Sequence, residues 1–206
     1  MITYAAQDLS HIDQYKLLSG SVIPRPIAWV TTLNSDTKVV NLAPFSYFSV
    51  ASNQKPIISL AILRQNQSVK HTAFNILHQK EAVIHIVSAE FAAAMNATAA
   101  GIAAQNSELD LINEPLIKSD FIAVPGLVRA KIRLETTLYQ HIPLLDKNKQ
   151  VMTDLLLLEV QGFHFAEHIL DETAKHIDVE ALQPLGRLAG PNYTYLGKTF
   201  FMQRPK

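Results

Sequence analysis

Short apolar runs punctuated by proline and polar turns dominate the chain. Ser10-His11-Ile12-Asp13 has the S-x-x-D form of a capping box, which predicts a short helix over 10–18. Pro24 and Pro26 then impose extended backbone. Residues 27–33 read as a strand and Asn34-Ser35-Asp36-Thr37 as its turn. Residues 39–50 return as a second strand, broken or bulged near Pro44, because proline cannot donate to a ladder. Pro56 opens a third, 57–63. Val69, Ala73, Ile76 and Leu77 recur at helical spacing, predicting a helix over 68–79 with Ser68 as N-cap. A strand over 82–87 follows, then an alanine-rich helix over 90–100 and short turns over 106–120. In 128–139, Ile132, Leu134, Thr136 and Leu138 alternate with more polar neighbours, as in a half-buried strand, and 151–165 is a long apolar strand. The tail from Glu167 is rich in turn residues.

About six strands interrupted by a few helices do not follow the βαβ alternation of a doubly wound sheet. The expected class is mainly β with helical insertions: a closed or nearly closed antiparallel barrel. At 206 residues the chain is long enough for one sizeable domain, taken as 1–206, and short for two.

Composition narrows the chemistry. The 18 Lys and Arg balance the 18 Asp and Glu, so nothing steers the chain toward nucleic acid or an anionic membrane. There is no cysteine, which removes disulfides, thiolate nucleophiles, zinc–thiolate sites and iron–sulfur clusters together. No signal-peptide pattern and no membrane-spanning apolar run is present, so the expectation is a cytoplasmic protein. The dinucleotide G-x-G-x-x-G, the P-loop, H-E-x-x-H and G-x-S-x-G are all absent. His71, His78 and His85 are evenly spaced but cross a helix–strand boundary, so no metal site is expected. With side-chain catalysis so poorly supplied, a bound cofactor is the expected source of any chemistry, and no catalytic residue is named.

Five stretches carry a resemblance. Pro24-Arg25-Pro26-Ile27-Ala28-Trp29-Val30-Thr31-Thr32 and Asn41-Leu42-Ala43-Pro44-Phe45-Ser46 come first. Lys70-His71-Thr72-Ala73-Phe74-Asn75-Ile76, Met95-Asn96-Ala97-Thr98 and Pro184-Leu185-Gly186-Arg187-Leu188-Ala189-Gly190-Pro191-Asn192-Tyr193 follow in order. Together the set resembles the flavin reductase-like, FMN-binding split-barrel family, with His71 where that family's K-D-T-x-x-N-I has Asp. The resemblance implies a six-stranded split barrel, a homodimer, and one noncovalent FMN per subunit near the dimer interface.

On that reading the small and hydroxylated residues of the first two strands have a use. A flat isoalloxazine needs walls without protruding side chains, which Ala28, Ala43 and Pro44 offer. Thr31, Thr32, Ser46 and Thr72 can donate to ribityl or phosphate oxygens. Lys70 and the N-terminus of its helix supply positive charge. Arg25 and Pro26, Val30, Asn41 and Leu42 lie within the matched motifs. Trp29 is a core residue or a cofactor contact. Adjacent Thr31 and Thr32 face opposite sides of a strand, so one side chain alone can reach a ligand. Met95 is most simply core, Asn96 a cap or a flavin contact, and Arg187 and Tyr193 fix the tail or cover the partner subunit's flavin. The implied activity is transfer of hydride from NAD(P)H to FMN and of electrons to an acceptor. The alternative is an FMN electron carrier without nicotinamide turnover.

Overall fold

The computed structural model describes every residue except 104, 172, 174 and 206. Strands in chain order are β1 (Arg25–Pro26), β2 (Ala28–Leu33), β3 (Val40–Phe45), β4 (Phe48–Val50), β5 (Ile57–Leu63), β6 (Glu81–Ile86), β7 (Leu116–Ile117), β8 (Gly126–Leu127), β9 (Ile132–Leu145), β10 (Val151–Phe165), β11 (Gly186–Arg187) and β12 (Tyr193–Thr194). The α-helices are α1 (His11–Ser21), α2 (His71–Gln79), α3 (Ala92–Ala97) and α4 (Val179–Leu182).

Seven strands form one antiparallel sheet in the order β3-β2-β6-β9-β10-β5-β4. β3 and β4 lie at its two ends, yet only Ser46 and Tyr47 separate them in the chain. The sheet must therefore curl until its edges nearly meet, giving a half-barrel. The expected six strands become seven because the stretch 39–50 breaks at Ser46-Tyr47 and its two halves join opposite edges. Pro44 sits on edge strand β3 opposite Trp29, where a missing N–H costs no interior ladder bond.

Inside the curl, Val30, Leu60, Ile62, Ile84, Leu156 and Leu158 form the core, and α2 closes it with Ala73 and Ile76. Outside, a second layer joins Trp29, Leu42, Phe91, Met95 and Leu185. Both faces of β2 are thus covered, which explains its unbroken burial from Ala28 to Thr32. Strand β9 is half-buried as expected but runs from Ile132 to Leu145 rather than over 128–139, and part of its polar face is covered too. Glu135 is buried, and its carboxylate accepts the Asp120 and Phe121 amides, so a loop covers the polar face.

Helix α1 begins where the capping box places it: Ser10 Oγ accepts the Asp13 amide at 3.1 Å. It runs three residues further than expected. Helix α2 begins later than expected, at His71, with Lys70 rather than Ser68 as N-cap. Residues 65–68 instead close a tight turn in which Asn66 and Gln67 adopt positive φ, so the first turn of the expected helix does not form. Among the described residues, no helix is long and apolar enough to cross a membrane.

Candidate flavin site

The tail returns to the front of the molecule. Gly186 and Arg187 of β11 pair with Pro26 and Arg25 of β1, and β12 adds to the far side. A Cβ at Gly186 would lie 2.9 Å from Pro24 Cβ and 3.1 Å from Thr194 Cγ2, so this close three-strand packing requires glycine. The sequence leaves open whether the tail covers the partner subunit. As far as Thr194 it packs on its own chain.

Between this small sheet, the β3–β4 corner, α1 and the start of α2 lies a cleft of about 330 Å3. Ile27, Pro44, Phe45, Leu63 and Met95 give it apolar walls, and Arg25, Lys70 and Arg187 give it three cations. No carboxylate among the described residues lines it. Among the described residues none of the three cations lies within ion-pair distance of an acid.

Each cation is held differently. Arg25 is buried. Its Nη1 donates to the Ser19 and Val22 carbonyls, its Nη2 to Leu188 O at 3.1 Å, and its Nε reaches Ser46 Oγ at 3.4 Å. It ties α1, the β3–β4 corner and the tail together. Arg187 stacks over the Tyr193 ring at 4.4 Å, and the Tyr193 hydroxyl donates to Asn96 Oδ1 at 3.3 Å. Lys70 is exposed at the N-terminus of α2. Tyr47 lines the cleft too, 5.8 Å from the Arg25 guanidinium, and burial raises its phenol above the ordinary range.

Of the residues expected to contact a cofactor, the cleft gathers Arg25, Pro44, Ser46, Lys70, Arg187 and Tyr193, with Asn96 joined through Tyr193. The others lie elsewhere. Ala28, Val30 and Leu42 are core. Trp29 is 1% exposed and donates its indole N–H to Thr98 Oγ1 at 2.8 Å, which favours its core reading. Thr31 and Thr32 do face opposite ways, but both are buried: Thr31 donates to Pro125 O at 2.7 Å, and Thr32 Oγ1 accepts from Asn75 Nδ2 at 3.0 Å. Thr72 is buried and accepts from Asn41 Nδ2 at 3.2 Å. The Thr32 and Thr72 hydroxyls join α2 to β2 and β3, and the Thr31 hydroxyl ties β2 to the loop before β8. Pro26 and Ala43 do not line the cleft, and His71 faces a neighbouring cavity with Asn41 and Asn75. The position that departs from the family motif therefore lies outside the cleft. Tyr15, Ser19, Tyr47 and Leu188 were missed. Tyr47 directly follows a matched motif, and the capped helix carrying Tyr15 and Ser19 was legible, but nothing local placed that helix against the β3–β4 corner.

A second polar centre lies away from the cleft. His85 is fully buried between β2 and β8. Its Nδ1 donates to Trp29 O at 2.7 Å and its Nε2 accepts the Leu127 amide at 3.0 Å. That pairing fits only the neutral ring, and desolvation lowers its pKa to about 4.

The ordered motifs and the curled antiparallel sheet together define the split-barrel fold of the flavin reductase class. The chain belongs to the flavin reductase-like domain family, whose model matches residues 19–185. It is 39% identical over 206 residues, the whole of both chains, to the uncharacterized protein YwrF of Bacillus subtilis. Among solved structures, nitrilotriacetate monooxygenase component B from Bacillus cereus superposes with a TM-score of 0.94 at 39% identity, covering 98% of each chain. The 2-nitrobenzoate 2-nitroreductase NbaA of Pseudomonas fluorescens superposes with a TM-score of 0.87 at 30% identity, covering 99% of this chain and 96% of its own.

Proposed function

We propose that this protein is an FMN-dependent oxidoreductase of the flavin reductase type, taking hydride from NAD(P)H and passing electrons to a second acceptor. The observation that carries the reading is the pairing of apolar walls with three cations and no acid in one cleft. That is the complement of a flat apolar ring system carrying a phosphate, and the volume is within the range usual for small-molecule sites. When bound, the flavin would supply the two-electron chemistry that the side chains lack.

The residues divide the work. Lys70 and the first-turn amides of α2 offer a phosphate a charge and free donors. Pro44 and Phe45 give a flat wall without charge. Arg187, braced by Tyr193, closes the cleft from the tail side. Ser46, held near Arg25, offers a hydroxyl to a polar ring edge or ribityl chain. NAD(P)H is the proposed donor because the similar solved structures include a nitroreductase and a monooxygenase component. The functional unit is proposed to be a homodimer. Its contacts would come from apolar groups left exposed beyond the tail sheet, including Phe200, Phe201 and Met202.

The test is an absorbance spectrum of the purified, FMN-loaded protein followed by anaerobic addition of NADH and of NADPH. Bleaching of the flavin band with one of them supports the reductase. A band that persists with both favours a flavin electron carrier, the reading that the absent nicotinamide fingerprint leaves open.

A further inference from the structure

Behind Arg25, on the side away from the cleft floor, a second cavity of about 410 Å3 opens between the end of α1, β1 and β4. Its walls are mainly apolar: Leu18, Val22, Pro24, Pro26, Tyr47 and Phe48. Among the described residues Arg25 is its one charged lining residue, and Arg25, Ser19, Ser46 and Tyr47 are shared with the flavin cleft as a common wall.

The guanidinium has five N–H donors. Four are accounted for, all on neutral oxygens: the Ser19, Val22 and Leu188 carbonyls and the Ser46 hydroxyl. One donor and the whole positive charge are left over. A buried cation held only by neutral acceptors is costly, and an anion beside it offsets that cost. In the cleft, Lys70 and Arg187 are already available to a phosphate. The groove offers no other charge.

We propose that this groove is a second ligand site, selective for a small aromatic carboxylate, whose ring fills the apolar walls and whose carboxylate accepts from Arg25. The site does not depend on the flavin reading. Its ring would pack against Leu18, Val22 and Phe48, and the carboxylate would gain a charge-assisted bond that a neutral analogue lacks.

Benzoate is the probe, with benzamide as its neutral counterpart, titrated calorimetrically into the full-length protein with and without saturating FMN. FMN binding itself is followed separately by quenching of its fluorescence, so failure of the flavin reading is seen independently. Benzoate should bind with one site per chain, persist in the presence of FMN, and exceed benzamide by about tenfold or more. Leu18 is exposed and lines the groove but not the cleft. Leu18→Trp should fill the groove and abolish benzoate binding, leaving FMN quenching unchanged. Equal affinity for acid and amide, displacement of benzoate by FMN, or indifference to Leu18→Trp would overturn the proposal. So would a wild-type protein that binds no benzoate while Leu18→Trp turns a dimer into monomers by sedimentation, since the groove would then belong to a second copy of the chain.

Discussion

Arg25 and Arg187 lie directly opposite one another in the β1–β11 pairing, two guanidiniums in register with no carboxylate beside either. Like charges across a strand pair are unfavourable. Here they are kept apart by different anchors. Arg25 turns to the carbonyls of α1 and the tail, and Arg187 lies over Tyr193.

Arg187→Gln shortens the side chain to a neutral amide, removing one of these charges and the stacking over Tyr193. FMN affinity, read by fluorescence quenching, should fall about tenfold. The melting temperature should change little, because Arg187 is half-buried and makes no ion pair. A variant that binds FMN normally would remove Arg187 from the site.

Trp29→Phe should report on the core. It removes the indole donor to Thr98 Oγ1 and shrinks the packing against Phe91, whose ring lies 5.9 Å away. A destabilisation of about 1–3 kcal/mol in urea unfolding is expected. FMN affinity measured well below the unfolding midpoint should be preserved. Loss of FMN binding without loss of stability would restore Trp29 as a cofactor contact.

His85 makes stability depend on mild acid. Its folded pKa, about 4, lies below the ordinary value of 6.5, so between these values the unfolded chain binds the extra proton. Stability should therefore fall as pH drops from about 6.5 to 4, by about 3 kcal/mol in total. Glu135 and Asp154, whose carboxyls are held below their ordinary range, add to the loss only at the acid end of this window and below it. Desolvation opposes that lowering in both. The backbone amides of Asp120 and Phe121 together with His164 outweigh it for Glu135, and Arg64 with His141 for Asp154. Denaturation midpoints between pH 6.5 and 5 should show the slope in wild type and a shallower one in His85→Gln.

Asp154 is fully buried and receives two bonds from Arg64, at 2.8 and 2.9 Å, and one contact from His141 at 2.9 Å. Arg64→Met leaves the carboxylate short of its main partner and should cost about 3–5 kcal/mol. Arg64→Met combined with Asp154→Leu should recover much of that loss. Thermal unfolding of both variants distinguishes this from simple loss of packing, for which the double variant would be worse.

Much of the fold was legible because its signals are local. Alternation and proline marked 57–63 and 151–165 to the residue, and Ser10 marked the start of α1. The break after Pro44 was legible too. That its two halves join opposite edges was not, since a strand's partners are set by the curl of the whole sheet. The site was legible as motifs but not as surfaces. Thr31, Thr32 and Thr72 read as ligand hydroxyls because small polar residues in a strand suit a cofactor. In fact their partners are Pro125, Asn75 and Asn41, two of them more than 40 positions distant. Lys70 and Arg187 stood out through family resemblance, but that both line one cleft of the same chain was not legible, because spacing alone cannot join positions so far apart.

The acid-free cationic cleft is proposed to take a phosphate-bearing flavin. The most direct measurement is a fluorescence titration of FMN and of riboflavin against wild type and Lys70→Ala. Wild type should bind FMN far more tightly than riboflavin, and Lys70→Ala should weaken FMN by about tenfold or more while leaving riboflavin nearly unchanged. Equal affinity for the two flavins in wild type, or an equal loss of both in Lys70→Ala, would contradict it.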